Sequence, residues 1–384
     1  MKLGPVSHGA GRYVVGEFQR FDQTHNAFFR AWMDDSLKEY RKFFGVIQPK
    51  DKAGNRLEDL ALDQAGWFTE MAFAMGNCGG MRGLYSWESP KIFYSDYRPP
   101  TGIKLSVDDP ARATAMVKKA ARHFGASLVG VARLDHRWLY SHRMILPERR
   151  YEPVEIPSEY KFAIVMAIEM DYNLIRYSPA HVAGSAATVA YGKMAFTAGT
   201  LAQFIRYLGY KALPMGNDTA LNIPLAIDAG LGELSRIGVM ITPQYGPRVR
   251  LCKVFTDLPL EPDKPIEFGV WDFCMKCEKC ARNCPGQAIK YGEPTDKPNN
   301  PSNNGGVLRW PVNAEKCIAW WTKLEGVCSN CLRACPFNKP PGILHDWVRW
   351  GISNTRFMDG AFLKVDDLLG YGKQQPNPER YWQD

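Results

Sequence analysis

The spacing of apolar residues changes from one segment of the chain to the next, and this spacing predicts which segments form helices and which form strands. Residues 26–44, NAFFRAWMDDSLKEYRKFF, carry apolar side chains at helical spacing. Further on, Asp109 and Pro110 suit the start of a helix and Gly125 suits its end. The apolar stretches 127–134 and 162–170 then predict strands, and the second reads as a buried strand.

A long helix is predicted from Ser178-Pro179 to Gly209, and it is rich in small residues. Small side chains on a helix have two explanations: a neighbouring helix packs closely against them, or a large flat cofactor lies there. The face predicted to bind a cofactor lies within 184–199 and consists of Gly184, Ala187, Gly192 and Ala195.

Further strands are predicted at 210–214, 238–242 and 247–257. In the last of these, alternation places Arg248 and Arg250 on one face. The two arginines form either a solvated face or the lining of a site that needs fixed positive charge. Mixed helices and strands at these spacings predict a layered α/β or α+β domain.

Length and charge bound the class of protein. The 384 residues, 45% of them hydrophobic, are enough for two or three domains. The formal net charge of +8 is modest for this length, and no dense basic tract with interleaved aromatics occurs, so we expect no nucleic-acid partner. No apolar run reaches the roughly 18 residues of a membrane span.

The first residues, MKLGPVSHGAGRY, contain neither a hydrophobic signal core nor a twin-arginine pair. Two locations fit: the cytoplasm, or export by the twin-arginine route if a leader has been removed.

Eight of the ten cysteines lie between 274 and 335, whereas Cys78 and Cys252 lie elsewhere and are predicted to be ordinary buried thiols. The first run, CMKCEKCARNCP at 274–285, has the Cys-x2-Cys-x2-Cys-x3-Cys-Pro spacing of bacterial ferredoxins. The second run departs from it, because ten residues separate its first cysteine, Cys317, from Cys328.

In ferredoxins of this type, the fourth cysteine of each run ligates the other cluster. This rule predicts one cluster on Cys274, Cys277, Cys280 and Cys335, and a second on Cys284, Cys317, Cys328 and Cys331. The alternative is zinc, whose sites usually pair two Cys-x2-Cys knuckles. Two runs that each end in Cys-Pro favour two [4Fe–4S] clusters.

Something in the rest of the chain must receive the electrons. The Gly-x-Gly-x-x-Gly fingerprint of dinucleotide-binding domains is absent from the sequence. The Asp-x-His-x-x-Gly arrangement through which some corrinoid proteins offer a histidine to cobalt is absent too. A bound corrinoid would therefore have no protein histidine on its lower face.

Several strings resemble the catalytic subunit of reductive dehalogenases, and the resemblance covers nearly the whole chain. They include VKKAARHFGASLVGVARLDHRWLYS, LAQFIRYLGYKALPMGNDTALNIPLAIDAGLGELSRIGVMITPQYGPRVRL and the cluster region that ends in CPFNKPPGILHDW. The resemblance implies a nitroreductase-like core that binds a base-off, cobalamin-type corrinoid, followed by a two-cluster bacterial ferredoxin-like domain. It also implies removal of halide from an organohalide with two electrons and a proton.

Carried over by position, Tyr191 in TVAYGKM falls where the family places its catalytic tyrosine. Asn217 in GND and Arg250 in PRVRL fall where its supporting polar groups lie, with Arg248 as the alternative arginine. Tyrosine can serve as a general acid, and a nearby arginine would stabilise the tyrosinate. We assign Trp67, Trp87 and Trp138 to core packing.

Four segments are predicted. An aromatic-rich extension over 1–104 packs on a corrinoid-binding catalytic domain over 105–262. An iron–sulfur domain follows over 263–345, and a tail over 346–384 either closes over the site as a lid or is disordered.

The resemblance also implies an external low-potential electron donor, such as a ferredoxin, a flavodoxin or a membrane-linked reductase. A membrane-anchor partner and a homodimer are both compatible with it. Two other functions stay open: an epoxyqueuosine reductase-like, tRNA-modifying enzyme, and a non-enzymatic electron carrier or corrinoid chaperone. The sequence does not identify the organohalide.

Overall fold

The computed structural model describes residues 9–75, 81–89, 102–146, 148–340, 342–375 and 377–383. Cys78, predicted to be a buried thiol, lies outside these residues. The strands are β1 (Leu128–Arg133), β2 (His142–Ile145), β3 (Arg150–Pro153), β4 (Phe162–Glu169), β5 (Ala212–Met215), β6 (Glu233–Leu234), β7 (Met240–Ile241) and β8 (Val249–Thr256).

The helices begin in the N-terminal extension and continue to the C-terminal tail. They are α1 (Ala27–Met33), α2 (Leu57–Gly66), α3 (Phe68–Phe73), α4 (Pro110–His123), α5 (Tyr172–Ile175), α6 (His181–Tyr207), α7 (Asn222–Asp228), α8 (Val270–Lys276), α9 (Lys279–Arg282), α10 (Ala314–Leu324), α11 (Asn330–Ala334), α12 (Ile343–Asn354) and α13 (Asp359–Leu368).

A four-stranded antiparallel sheet in the order β1-β4-β8-β5 forms the centre of the core. Helix α6 contacts β4, β5 and β8, while α7 contacts β1, β4 and β8. Seven of the eight residues of β4 are buried, which explains why this strand is a continuous apolar run. The antiparallel order makes the fold α+β, within the mixed class that the sequence predicts.

Helix α6 is the longest element of the described chain and carries the residues of greatest functional interest. It ends at Tyr207, and Gly209 follows with a φ of +84°, a conformation that favours glycine. A Cβ at Gly209 would lie 2.4 Å from the Ile103 carbonyl oxygen, so the close approach of that segment also requires glycine. The sequence places the helix end within two residues of where it lies.

The small residues of α6 are explained by helix packing. A Cβ on Gly184 would lie 2.7 Å from a carboxylate oxygen of Asp63 on α2, and one on Gly192 would lie 3.1 Å from Thr69 on α3. Ala187 and Ala195 belong to the hydrophobic core. The contacts of these four residues therefore support the packing explanation, and their cofactor-binding role remains a prediction without support from the described contacts.

The N-terminal extension contacts more than the catalytic core. Helices α2 and α3 lie along α6, whereas α1 and a 3-10 helix over Asp35–Phe44 pack against α10. Arg30 on α1 also pairs with Glu315 on α10. The extension therefore connects the core to the cysteine-rich region, and the predicted domain bounds remain predictions.

The C-terminal tail is folded, so the expectation that it is disordered is wrong. After α12 and α13, a 3-10 helix over Pro378–Trp382 returns to the N-terminal extension. There the Trp382 indole N–H donates to Asp59 on α2 over 2.9 Å, and Arg56 pairs with Glu379 at 2.5 Å. A lid role for the tail remains a prediction. Within the described chain, no helix is long and apolar enough to span a bilayer.

The N-cap of α4 provides a test of how the sequence specifies the fold. The Asp109 carboxylate accepts hydrogen bonds from the backbone N–H groups of Ala111 and Arg112. Replacing Asp109 by Ala should lower the free energy of unfolding by about 1 kcal/mol, because both donors lose their acceptor. The measurement is the midpoint of denaturant unfolding. Asp108→Ala is the matched control, and an equal shift in both variants would contradict the capping role.

Candidate active site and iron–sulfur region

Tyr191 lies in the third turn of α6, half-buried, and its hydroxyl is the meeting point of three elements. Asn217 follows β5, and its Nδ2 donates to the Tyr191 oxygen over 3.3 Å. Arg250 lies on β8, and its Nη1 donates to the same oxygen over 3.2 Å. The structure thus brings together the three polar residues that the family resemblance singles out, while their catalytic roles remain predictions.

The geometry leaves the phenolic proton of Tyr191 unused by these two bonds. Asn217 Nδ2 and Arg250 Nη1 both donate, so the Tyr191 oxygen accepts twice. The Arg250 guanidinium carbon also lies 4.8 Å from the centroid of the Tyr191 ring. Positive charge and two donors are therefore directed at the oxygen on which negative charge would develop if the proton left.

Arg248, the alternative arginine, serves a different purpose. It is 1% exposed, and its Nη1 donates to Glu169 over 2.7 Å and to the Met170 carbonyl over 2.6 Å. Strand β8 begins at Val249, one residue after Arg248. Of the two arginines, Arg250 is the one bonded to Tyr191.

Trp67 is the residue that sequence reasoning missed. It was assigned to core packing, but its ring stacks on that of Tyr191 at a centroid separation of 4.9 Å and an interplanar angle of 21°. Trp138, by contrast, is buried in the core as predicted. Nothing in the spacing around Trp67 distinguishes the two cases, because the contact joins the residue between α2 and α3 to α6 across more than a hundred residues.

One further donor lies beside Tyr191. The Nε–H of Arg250 is buried and has no hydrogen-bond partner within the ranges described above. Buried donors are nearly always paired in native proteins, so an unpaired one at a half-buried polar cluster fits a site that receives an additional acceptor.

The eight clustered cysteines fall into two groups. Burial, followed by the charges of Cys274, Cys335 and Cys277, raises the pKa of Cys280, with Cys331 as the smallest contributor. Burial raises the pKa of Cys331 as well, followed by the charges of its own group. Those charges are on Cys328, Cys317 and Cys284.

This grouping is the one that the crossover rule predicts, and the assignment of the ligands to two clusters remains a prediction. Four of the eight thiols are buried and four are half-buried, and thiols bind a metal as thiolates, so the two donor sets fit iron–sulfur clusters. Among the described residues, no three His, Cys, Asp or Glu side chains converge closely enough to hold a single metal ion. The remaining thiol within them, Cys252, is fully buried in the core, and burial raises its pKa to about 12.

Trp320 also faces this region. Burial raises the pKa of Cys328, and the Trp320 indole N–H beside it counters that shift without forming a well-aligned hydrogen bond. The indole N–H is buried and has no partner in the described chain. A cluster sulfur at this place would give it an acceptor, which is a second indication that the region fits the inorganic group.

Arg236 holds the loop of the first cysteine run. Its side chain is fully buried, and its guanidinium donates to the carbonyls of Cys274, Cys277, Lys290 and Gly292 over 2.7–3.1 Å. The guanidinium carbon lies 4.7 Å from the centroid of the Trp310 ring. The Arg236 guanidinium thus connects the backbone of the first two cysteines to the backbone of residues 290–292.

The comparisons with known proteins agree with this geometry. Residues 273–339 match the family model described as a 4Fe-4S dicluster domain. The tetrachloroethene reductive dehalogenase of Sulfurospirillum multivorans is 38% identical over 378 residues, which cover 90% of this chain and 75% of that protein. One from Desulfitobacterium hafniense is 35% identical over 328 residues, covering 75% of this chain and 59% of that protein.

The chain has the same fold as a solved reductive dehalogenase. That structure is described as suggesting a mechanism for B12-dependent dehalogenation. The TM-score is 0.74 at 24% identity, and the match covers 97% of this chain and 48% of that one. The fold and the cysteine region define an iron–sulfur oxidoreductase. With the sequence relatives, they show that the chain belongs to the reductive dehalogenase family.

Removal of the Arg236 guanidinium tests its structural role. Arg236→Met removes the side-chain donor from the carbonyls of Cys274, Cys277 and Lys290, whereas Gly292 keeps Trp310 as a donor. Each buried group left unpaired costs about 1–3 kcal/mol. We expect a lower denaturation midpoint and less iron per chain after anaerobic reconstitution. Arg282→Met, an exposed arginine on α9, is the matched control. Wild-type iron content and stability in Arg236→Met would contradict the assigned role.

Proposed function

We propose that the protein is a corrinoid- and iron–sulfur-dependent reductive dehalogenase in which Tyr191 supplies the proton. The observation that carries the proposal is the Tyr191 hydroxyl, which accepts hydrogen bonds from Asn217 and Arg250 and keeps its own proton out of both bonds. Overall, an organohalide, two electrons and one proton become the dehalogenated product and a halide ion.

The proposed corrinoid is of the cobalamin type and base-off. Dependence on B12 is stated for the solved relative of the same fold, and the chain lacks the Asp-x-His-x-x-Gly arrangement that offers cobalt a histidine. When bound, such a cofactor supplies the low-valent cobalt that breaks the carbon–halogen bond. Tyr191, Asn217 and Arg250 are the residues proposed to face its reactive side.

The protein's own contribution is the proton and the charge around it. Tyr191 donates its phenolic proton to the carbon that loses halide. Arg250 and Asn217 stabilise the negative charge left on the Tyr191 oxygen, because both already direct donors at it. Trp67 stacks on the Tyr191 ring and thereby restricts its plane. The stacking and the two hydrogen bonds together fix the direction of the hydroxyl.

Electrons are proposed to pass through two [4Fe–4S] clusters, one on each of the two cysteine groups. The dicluster match over residues 273–339 and the grouping of the thiols support this count. The donor is proposed to be an external low-potential ferredoxin, flavodoxin or membrane-linked reductase. A membrane-anchor partner, a homodimer and the compartment remain predictions.

The substrate class is proposed to be organohalides. Two relatives are named for tetrachloroethene, so this compound is the first to test. The half-buried aromatic pair of Trp67 and Tyr191 places apolar ring surface beside the polar cluster, which suits a small apolar molecule.

Tyr191→Phe tests the proton source. We expect the variant, reconstituted with iron, sulfide and cobalamin, to release chloride from tetrachloroethene about 100-fold more slowly than the wild type, because a general acid is lost. Tyr207→Phe, an exposed tyrosine on the same helix, is the matched control. Full activity in Tyr191→Phe would eliminate the assignment, whereas an inactive wild type with salt-dependent tRNA binding would favour the epoxyqueuosine reductase-like alternative.

Metal content tests the cofactors independently of turnover. Anaerobic reconstitution should give about eight iron and one cobalt per chain, since each [4Fe–4S] cluster holds four iron atoms. Cys335→Ala should lose about half of the iron, whereas Cys252→Ala should lose none. Absence of cobalt in the wild type, or equal iron in both variants, would contradict the proposal.

A further inference from the structure

The amide of Asn217 must point its Nδ2, and not its Oδ1, at Tyr191 for the proposed chemistry to work. The two ends of an asparagine amide are nearly the same size, so packing alone does not select between them. If the amide were reversed, Oδ1 would face the hydroxyl and accept the phenolic proton that the reaction needs. Something must therefore fix the orientation of Asn217.

Asn222, the first residue of α7, makes the contact that fixes it. The Nδ2 of Asn222 lies 3.0 Å from Asn217 Oδ1 and 3.1 Å from each of the carbonyl oxygens of Gly216 and Leu251. The two backbone carbonyls can only accept hydrogen bonds, so this end of Asn222 must be the NH₂ group. The two hydrogens of this group are shared among three oxygens, and an Asn217 NH₂ group at 3.0 Å would meet another donor with no acceptor, so Asn217 presents Oδ1 to Asn222 and Nδ2 to Tyr191.

Lys253 fixes the other end of Asn222. It lies on β8, is fully buried, and its Nζ donates to Asn222 Oδ1 over 2.8 Å. Its other donors bind the carbonyls of Gly216 over 2.8 Å and Asp218 over 2.9 Å. An ammonium group only donates, so it requires an oxygen at this end of the Asn222 amide. Burial lowers the pKa of Lys253 to about 8, and the charge of Asp218 opposes that shift.

We infer that Lys253 and Asn222 are positioning residues that set the polarity of the Asn217 amide and thereby keep the phenolic proton of Tyr191 available for transfer. The order of donation is Lys253 to Asn222, Asn222 to Asn217, and Asn217 to Tyr191. The inference rests on the proposed function for its consequence. The orientation itself is a property of the chain that can be measured without turnover.

A buried lysine costs stability in an apolar core unless its donors are satisfied. Here all three donors of Lys253 are bound within the connection from β5 to α7. A neutral apolar residue would fill the same space, so a role in orienting the amide next to the proton donor explains why a cation is present.

The test uses Asn222→Asp, which keeps the shape and the acceptor for Lys253 but replaces the NH₂ group with a carboxylate oxygen. The Asn217 amide should then reverse. We expect kcat for halide release to fall about 10- to 100-fold, as for loss of one hydrogen bond to a charged group. The cobalt and iron content should stay at the wild-type level. Lys211→Met, a surface lysine paired with Glu159, is the matched control and should leave kcat unchanged.

A double-mutant cycle separates orientation from general disruption. In an Asn217→Ala background there is no amide to orient, so Asn222→Asp should change kcat by less than about threefold. An equal loss in both backgrounds would overturn the inference, as would a wild-type kcat in Asn222→Asp. Asn222→Ala, which adds no charge, is the second variant if Asn222→Asp does not fold.

A spectroscopic readout is independent of turnover. In protein labelled with ¹³C at the tyrosine Cζ, the Tyr191 signal is identified by its loss in Tyr191→Phe. At neutral pH this signal should shift in Asn222→Asp and in Lys253→Met, and it should not shift in Lys211→Met. An unchanged signal in both network variants would overturn the inference even if the protein proved to be a dehalogenase. Full activity of Tyr191→Phe with a shifted signal would instead reject the proposed function and keep the orientation.

Discussion

The candidate site depends on one oxygen atom, the hydroxyl of Tyr191, and on the two donors that face it. Asn217 reaches it from the segment after β5, and Arg250 reaches it from β8. A tyrosine on a buried helix is ordinarily a packing residue. The convergence of an amide and a guanidinium on its oxygen distinguishes Tyr191 from such a residue, and it requires α6 and the central sheet to keep their relative position.

The remainder of the fold maintains that position. Helix α6 contacts α2 and α3 closely, where glycines let carboxylate and threonine side chains approach the helix backbone. The same extension contacts α10, which carries Cys317, and the C-terminal 3-10 helix bonds back to α2. Segments far apart in sequence thus join the tyrosine site to the cysteine region.

The sequence predicts what depends on local chemistry. The capped helix α4, the length of α6 and the strands 162–170 and 247–257 follow from caps, glycines and apolar runs, and they lie where expected to within a few residues. The proposed division of the cysteines into two groups also follows from spacing, because ligands of one cluster lie close in the chain apart from the crossover cysteine, and it stays a prediction. These features need no knowledge of tertiary contacts.

The features that escape prediction are contacts between distant segments. Trp67 stacks on Tyr191, and Arg248 binds Glu169, but neither partner is encoded in the neighbouring residues. The small residues of α6 illustrate the same limit, since a gap for a cofactor and a gap for a packed helix produce the same sequence pattern. Lys253 and Asn222 have no motif either, and their importance becomes visible only in the hydrogen-bond network.

The central claim is that the Tyr191 phenol faces the cobalt of the bound corrinoid. The most direct measurement is electron–nuclear double resonance on the Co(II) state of the reconstituted protein, prepared with ring-deuterated tyrosine. We expect a dipolar coupling from the cobalt electron to tyrosine deuterons that disappears in Tyr191→Phe and persists in Tyr207→Phe. A Co(II) signal with no tyrosine deuteron coupling, or one unchanged by Tyr191→Phe, would contradict it.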